Sequence, residues 1–467
     1  MKIHFIGIGG EGMYGVARLA LAQGHQVSGS ELAERSTAYR LGKLGVAVYR
    51  THHASNVQGA DLVVRSSAIH LDHVEVTAAI GQDIPLMKRS QCLGMLLQNS
   101  GSQTLAIAGA HGKSTITAMV GLILEKAGMD PTMIAGAHVP YFSDHVRIGR
   151  GPQVVEACEY DRSFLDLAGD WSLVTSLDLD HLDYYRGGLD ELTEAFCQFI
   201  ELTLDRPNGR LVLCADDELV KTRLLTRYPD IVTYGLQDGW WRAHPGNAAY
   251  SESGVMQYHF EVHRGNRTFG EFAVAVPGSH NIQNALGAIV LCDSLGVRVG
   301  DMNEALSHYH GIRGRYEKRL ISSHVVVIDD YGHTPAEISA TMASMKQEFD
   351  TSSVVCVYCP KQFHRTKRWL DEFAKQLMKA DACVVAPIVP GLGDDESTHG
   401  LVSSFDLAQR ICEMGGIAVG CQTVEAVRDE TKIWLQIVSK IKPDVVLVIG
   451  SGTTEEVTDR LCGALIV

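Results

Sequence analysis

The sequence predicts an α/β protein of three domains, and three observations carry that reading. Short apolar, strand-like runs alternate with helix-spaced patterns from end to end. Two glycine-rich loops of the phosphate-binding type open two separate strand–helix units. The chain is 467 residues long, enough for two to four cores. The strand-like runs include 3–8, 61–64, 105–108, 154–156, 211–214, 325–329, 354–358, 382–386 and 445–449. Polar, turn-rich residues 98–103 and the Gly- and Arg-rich stretch 311–319 read as boundaries, giving domains 1–100, 101–315 and 316–467. Within the second, 238–275 reads as shorter alternating strands about a turn at 250–254, an edge hairpin.

Composition narrows the function classes. A net charge of −14 and a pI near 5.8 argue against broad nucleic-acid binding, which needs a basic footprint. The opening Met1-Lys2-Ile3-His4-Phe5-Ile6-Gly7 is too short an apolar run for a signal peptide, and no run of about 20 apolar residues exists to cross a membrane. Eleven scattered cysteines read as reduced thiols of a cytoplasmic protein, with Cys356 and Cys383 as small core residues.

The first strand runs into Gly7-Ile8-Gly9-Gly10-Glu11-Gly12, a G-x-G-x-x-G turn. A second strand ends at Ser28-Gly29-Ser30-Glu31, which puts an acid 19 residues after Gly12, where a dinucleotide fold holds a ribose. The pattern fits NAD, another nucleotide, or simply a tight strand–helix turn. The second loop, Gly109-Ala110-His111-Gly112-Lys113-Ser114-Thr115, follows an apolar strand and precedes a helical pattern. Backbone amides there can face phosphates, Lys113 can supply a point charge, and the Ser114 hydroxyl can reach a metal. The strict P-loop has a glycine where this chain has Ile107.

Acids follow. The stretch Glu156-Ala157-Cys158-Glu159-Tyr160-Asp161 ends one strand, and Asp178, Asp180 and Asp183 surround His181 after another. A hard cation such as Mg²⁺ takes oxygen ligands and the phosphates of its nucleotide, so acids beside a phosphate loop suit it. Each cluster alone also fits a solvated loop. Residues 279–286 place Asn281 and Asn284 at a helix start, where Asn281 could serve as N-cap. Arg313, Arg315 and Arg319 form a basic hinge, and Asp329-Asp330-Tyr331-Gly332-His333 ends a further strand.

In this order the motifs resemble the Mur ligase family of ATP-dependent peptidoglycan-precursor enzymes, over the whole chain. The carriers are the 109–115 loop, Glu159, His181, His280-Asn281 with Asn284, Arg315, and Asp330 with His333, together with Gly7–Met13, Ser28–Ser30, Ser66-Ser67-Ala68-Ile69 and Ser163-Phe164-Leu165. The likeness is greatest to the branch that adds L-alanine to UDP-N-acetylmuramate. The resemblance implies a Rossmann-like N-terminal domain for the UDP-sugar, a P-loop-type central ATPase domain and a Rossmann-like C-terminal domain for the amino acid. It implies that Gly7, Gly9, Gly10, Gly12, Met13, Ser28, Ser30 and Ser67 hold the UDP-sugar. It implies that Gly109, His111, Gly112, Lys113, Ser114, Thr115, Asn281, Arg315, Asp330 and His333 hold ATP. Lys113, Glu159 and His181 would be catalytic, with Ser114, Glu159 and His181 as Mg²⁺ ligands, and His333 and Arg365 would receive the amino acid.

The chain departs from that branch at Pro360-Lys361-Gln362-Phe363-His364-Arg365-Thr366, where Pro-His-Arg-Tyr-Thr-Arg-Thr is usual. L-alanine is therefore the expected amine, with a whole peptide on the same sugar, or a different carboxylate acceptor, as alternatives. An NAD-dependent oxidoreductase built on the 7–12 loop and a non-catalytic nucleotide sensor are the readings from other classes. The expected cofactors are ATP and Mg²⁺, in the cytoplasm, with no nucleic-acid or membrane partner.

Overall fold

The computed structural model gathers the apolar runs into three sheets. It describes residues 1–465 apart from 179–183, 253, 351, 392, 393, 395, 396, 399 and 440–442. The first sheet holds β1 (Lys2–Ile6), β2 (Gln26–Ser30), β3 (Ala47–Tyr49), β4 (Leu62–Arg65) and β5 (Leu86–Lys88) in the order β3-β2-β1-β4-β5. Every pairing is parallel, as the intervening helices α1 (Glu11–Ala22), α2 (Ser36–Lys43) and α3 (Val74–Gly81) require; α4 (Arg89–Asn99) follows β5. β1 lies between β2 and β4, so the 7–12 loop leaves the sheet at its switch point, where open α/β sheets bind ligands.

The second sheet is built from β6 (Thr104–Ala108), β7 (Thr132–Val139), β8 (Asp144–Arg147), β9 (Gln153–Glu156), β10 (Trp171–Val174), β11 (Arg210–Cys214), β12 (Val232–Gly235), β13 (Trp241–Tyr250), β14 (Met256–Arg264) and β15 (Arg267–Val274). Its order is β15-β14-β13-β12-β11-β10-β6-β9-β7-β8. β6 is flanked by β10 and β9, which delivers the second loop between the ends of those two strands. The helix after it, α5 (Lys113–Lys126), is buried from Ser114 through Leu124. That all-round burial explains its nearly continuous apolar sequence. Helices α6 (Gly188–Leu204), α7 (Ser279–Ser294) and α8 (Val299–Ser307) complete the layer. The segment 238–275 forms three strands rather than two, with a turn closed by Gly254 N–H donating to the Ser251 carbonyl.

The third sheet orders β16 (Glu317–Ile321), β17 (Val325–Asp330), β18 (Val354–Cys359), β19 (Ala382–Val385), β20 (Ala418–Gly420) and β21 (Asp444–Gly450) as β16-β17-β21-β18-β19-β20. Around it lie α9 (Pro335–Glu348), α10 (Phe363–Arg368), α11 (Leu370–Leu377), α12 (Ser404–Glu413), α13 (Val424–Val438) and α14 (Thr454–Leu465). Strand residues alternate between two cores, with Val326, Ile328 and Tyr358 in one and Val325, Val327 and Val357 in the other. Cys356 and Cys359 are spaced like a metal-binding pair, but on a strand that spacing sends them to opposite cores, and both thiols are free.

The chain divides into two compact units. One comprises Met1–Asn247, His259–Ala273 and Gln283–Tyr309; the other comprises Ala248–Tyr258, Val274–Ile282 and His310–Val467. Within the first, the N-terminal and central sheets are joined by a buried polar hub. The Asp144 carboxylate on β8 accepts from Tyr14 Oη and Arg18 Nη1 of α1, each at 3.0 Å, and from Arg40 of α2. Removing it leaves two arginines facing a buried tyrosine. Asp144→Ala is expected to cost about 2–3 kcal/mol, less than a fully buried pair because both arginines are partly exposed. Chemical denaturation measures this; a change under 0.5 kcal/mol means the hub does not hold the sheets together.

Candidate active site

The second loop is held from both sides. Ala110 N–H donates to the Ser176 carbonyl, His111 N–H to Ser176 Oγ at 3.1 Å, and Thr175 Oγ1 to the His111 carbonyl at 2.5 Å. His111 Nε2 lies 2.9 Å from Asp178 Oδ2. Two glycines are needed for stated reasons. Gly109 has φ +123°, and a Cβ there would sit 2.1 Å from Thr175 Oγ1; Gly112 has φ +81°, and a Cβ would sit 2.5 Å from Asn284 Oδ1. Asn284 on α7 thus lies against the loop. Gly112 caps α5, so the helix N-terminus opens on the loop and favours anions there.

Lys113, the first residue of α5, is nearly buried and hydrogen-bonded to the carbonyls of Gly109 and Ala110. Its Nζ lies 3.0 Å from Glu159 Oε2, whose side chain is 5% exposed. Burial works against the ammonium charge, but Glu159, Cys158 and Glu156 outweigh it and raise the pKa above the ordinary lysine value. Ser114 Oγ donates to Glu156 Oε2 at 2.6 Å, and Gly136 N–H donates to the same oxygen at 2.6 Å. Thr115 is buried one residue further along α5. A lysine, two carboxylates and a hydroxyl therefore meet at the mouth of the loop. The oxygens of Ser114, Glu156 and Glu159 are the hard donors that Mg²⁺ takes.

Glu159 begins an irregular turn tied to the N-terminal sheet. Asp161 and Arg162, with φ of 55° and 53°, are adjacent non-glycine residues in the left-handed region. The Asp161 carboxylate accepts from Ser67 Oγ at 2.5 Å and from Lys88 Nζ at 2.9 Å. Burial opposes its ionisation, but the Ser67 and Lys88 hydrogen bonds and the Lys88 and Arg65 charges lower its pKa overall. Asp161→Ala removes those bonds and keeps the backbone strain, whereas Asp161→Gly relieves it. The alanine variant should be the less stable of the two by about 1 kcal/mol, read as a melting-temperature difference of a few degrees. Equal melting temperatures would show that the left-handed turn stores no strain.

At the first loop, Gly9 N–H donates to Glu31 Oε2 at 3.1 Å, and Thr37 Oγ1 to the Gly9 carbonyl at 2.5 Å. Glu31 is folded onto the turn, and its second oxygen accepts from Ala33 N–H. Gly10 N–H donates to the Gly7 carbonyl, and Gly7 and Ile8 N–H donate to the Ser30 carbonyl. A side chain at Gly12 would press on Arg89, so that guanidinium lies against the loop. Met13 is 2% exposed and packs in the core. Ser28 Oγ is 3.0 Å from His4 Nδ1, and the buried Ser30 Oγ donates to Glu75. Both serine hydroxyls are thus engaged inside the sheet.

In the second unit, the buried Asp330 carboxylate accepts from Tyr316 and Gly332 N–H, each at 2.8 Å. Burial raises its pKa, against the nearby Arg315. Arg315 stacks 4.5 Å from the Tyr331 ring centre, and His333 packs on the same ring and lies 3.3 Å from Glu337. Asn281 does not cap α7: the helix starts at Ser279, and the Asn281 amide donates back to the Pro277 carbonyl at 2.7 Å. Helix capping is set by where the backbone turns helical, which the spacing of amides alone does not give. Gln362 has φ +71°, Arg365 lies on α10, and His364 Nδ1 sits 2.8 Å from Asp394.

His181 lies outside the described residues. The sequence reading also missed Lys88 and Arg89. A Lys-Arg pair at a strand–helix junction, two positively charged residues where a glycine-rich loop faces the same sheet end, was the available signal.

Comparison with known proteins follows the same layout. Residues 2–100 match the model described as Mur ligase family, catalytic domain; 107–292 match the Mur ligase middle domain; and 314–452 match the Mur ligase, glutamate ligase domain. The chain is 34% identical over 461 residues to UDP-N-acetylmuramate–L-alanine ligase of Caldanaerobacter subterraneus subsp. tengcongensis, covering 98% of this chain and 96% of the relative. It is 38% identical over 392 residues to the ligase of the same name from Solidesulfovibrio magneticus, covering 83% of each. The crystal structure of UDP-N-acetylmuramate-alanine ligase MurC from Thermotoga maritima superposes with a TM-score of 0.80 at 27% identity, covering 99% of both chains. With its glycine loops, its Lys113–Glu159 pair and these likenesses along its whole length, the chain belongs to the Mur ligase family.

Proposed function

We infer that the chain is an ATP-dependent carboxylate–amine ligase that joins L-alanine to the lactyl carboxylate of UDP-N-acetylmuramate in peptidoglycan-precursor synthesis. One observation supports this above the others. Asp161, two residues beyond the Glu159 that pairs with Lys113, is bonded to Ser67 and Lys88 at the switch-point end of the N-terminal sheet. Two anion-binding loops are therefore fixed within one packed unit, as transfer between a nucleotide and a second phosphorylated substrate demands. A dinucleotide oxidoreductase gives no reason for the second loop.

The chemistry follows from charge. A carboxylate cannot expel oxide, so its oxygen first takes the γ-phosphoryl group of ATP. The amine then attacks the acyl carbon, and the tetrahedral intermediate loses inorganic phosphate and a proton. Lys113, held between Glu159 and two loop carbonyls, offsets charge on the transferring phosphoryl group. The α5 N-terminus at Gly112 and Lys113 orients the phosphates. Ser114 and Glu159, with Glu156 beside them, fit Mg²⁺, and His181 joins them by family resemblance. When bound, Mg²⁺ neutralises phosphate charge. Asn281, Arg315, Asp330 and His333 are assigned to ATP, and His333 and Arg365 to the amino acid, on the same resemblance. A nucleotide-linked acceptor and ATP place the reaction in the cytoplasm; among the described residues no helix is long and apolar enough to cross a membrane.

Lys361 and Gln362 depart from the usual His-Arg, and Gln362 takes a left-handed backbone. The test is a panel of amines with UDP-N-acetylmuramate and Mg-ATP, read as phosphate release. L-alanine is expected to exceed glycine and larger L-amino acids by about tenfold or more in kcat/KM. Turnover with an L-alanine-headed tripeptide but not with L-alanine moves the chain to peptide attachment. Release with no amine on the panel ends the reading.

A further inference from the structure

Across Ser30 from the first glycine loop, the N-terminal sheet gathers three ligand-type side chains. His52, His73 and Glu75 offer donor atoms that all lie within 4.8 Å of one another. His52 Nδ1 is 3.3 Å from Glu75 Oε2, close to the ~3.4 Å separating two ligands of tetrahedral zinc with bonds of about 2.0–2.1 Å. The two imidazoles stand edge to face, their centres 4.5 Å apart. A second observation points to the same spot. His4 is fully buried, its Nδ1 faces Ser28 Oγ, and its Nε2 has no hydrogen-bond partner and lies 3.8 Å from the same Glu75 oxygen.

We propose that His52, His73 and Glu75, none of them among the residues assigned to ATP or the UDP-sugar, form a binding site for a divalent transition metal of the zinc class.

The surroundings are those of a ligand set. Glu75 is anchored by Asn56 Nδ2 and Ser30 Oγ, each at 2.6 Å, which fixes its carboxylate as outer-shell partners do. His52 and His73 are partly exposed, giving an ion a path from solvent. Two imidazoles and a carboxylate select zinc, cobalt or nickel over Mg²⁺, which takes oxygen. The same residues also form a structural clamp: Asn56 Nδ2 and His53 N–H donate to Glu75, His52 faces Ser30 Oγ, and His73 Nδ1 accepts from Glu75 N–H at 3.3 Å. Loading a metal gives up that long bond.

The clamp and the metal site are separated by metal uptake of the full chain. The protein, stripped with chelator and held in excess Mg²⁺ to fill hard sites, is titrated with Co²⁺, and Zn²⁺ is followed by equilibrium dialysis. His73→Asn keeps an N-capping side chain, and His52→Ala alters a partly exposed ring, so circular dichroism and melting confirm folding for at least one of the two. Wild type is expected to take up one more equivalent than either variant, with a visible Co²⁺ band that both lose and Zn²⁺ affinity at least tenfold weaker in both. Equal stoichiometry and affinity in wild type and a folded variant overturn the proposal, as does the absence of any such equivalent in wild type. Neither result bears on the ligase reaction.

Discussion

Lys113→Ala is expected to abolish amine-dependent phosphate release, lowering kcat by about a thousandfold or more. The magnitude follows from what a positioned cation is worth at a transferring phosphoryl group in a dry site. Two further consequences distinguish this from a simple loss of fold. Glu159 keeps its buried carboxylate but loses the ion partner at 3.0 Å, so stability should fall by up to about 3 kcal/mol. Lys113→Arg retains charge, yet the guanidinium cannot fit between the Gly109 and Ala110 carbonyls as a point donor, so it should restore stability more than activity. Steady-state phosphate release alongside denaturant melts reads both. Retained turnover in the alanine variant would falsify the role given to Lys113. The pH dependence is equally specific. The folded pKa of Lys113 lies above its ordinary value, so the stabilisation from its pairing is complete below about 10.5 and is lost only as pH rises through the higher folded value. An alkaline decline in wild-type activity between pH 8 and 10 must therefore come from another group, whereas in a Glu159→Gln variant with residual activity burial is less opposed, so the Lys113 pKa should fall and the alkaline limb should move to lower pH.

Gly109→Ala should be damaging through both backbone strain and a clash. Its φ of +123° excludes L-residues, and the added Cβ would meet Thr175 Oγ1 at 2.1 Å and Ser176 N at 2.9 Å. Backbone strain contributes about 1–3 kcal/mol, and the clash with the strand end that holds the loop adds a similar amount. ATP binding, followed by calorimetry or a fluorescent analogue, is expected to be lost even where the chain still folds. Thr175→Ala in the same background removes the nearest atom but not the strain. It should recover part of the stability and little of the binding, because Thr175 Oγ1 also fixes the His111 carbonyl. Wild-type ATP affinity in Gly109→Ala would mean that the loop does not carry the phosphates.

The fold was legible wherever one local cause suffices. Alternating apolar strands and helical patterns give parallel sheets, and the runs at 105–108, 154–156, 211–214 and 445–449 each became a strand of the expected kind. The conformation of the 109–115 loop was legible for the same reason: glycine at a left-handed position, a lysine and a hydroxyl at a helix start are consecutive in the chain. Short strands such as β3 and β20 were not, because three residues carry no periodicity and form only where a neighbour offers a ladder. Asn281 was misplaced by three residues for a comparable reason, the helix starting at Ser279.

What the sequence determined by itself is the inventory and its order: two glycine loops, Lys113 with Ser114, and the acids at 156, 159 and 161 after a strand. What only the tertiary structure decided is who meets whom. Glu159 pairs with Lys113 across 46 residues, Asn284 reaches Gly112, and Asp161 closes on Ser67 and Lys88 across as many as 94. Glu31 is turned onto Gly9, and Ser30 is committed to Glu75. These pairings depend on strand order and on the burial that makes a missing partner costly. Neither is encoded by spacing along the chain, since a carboxylate's partner is chosen by proximity in three dimensions at low dielectric.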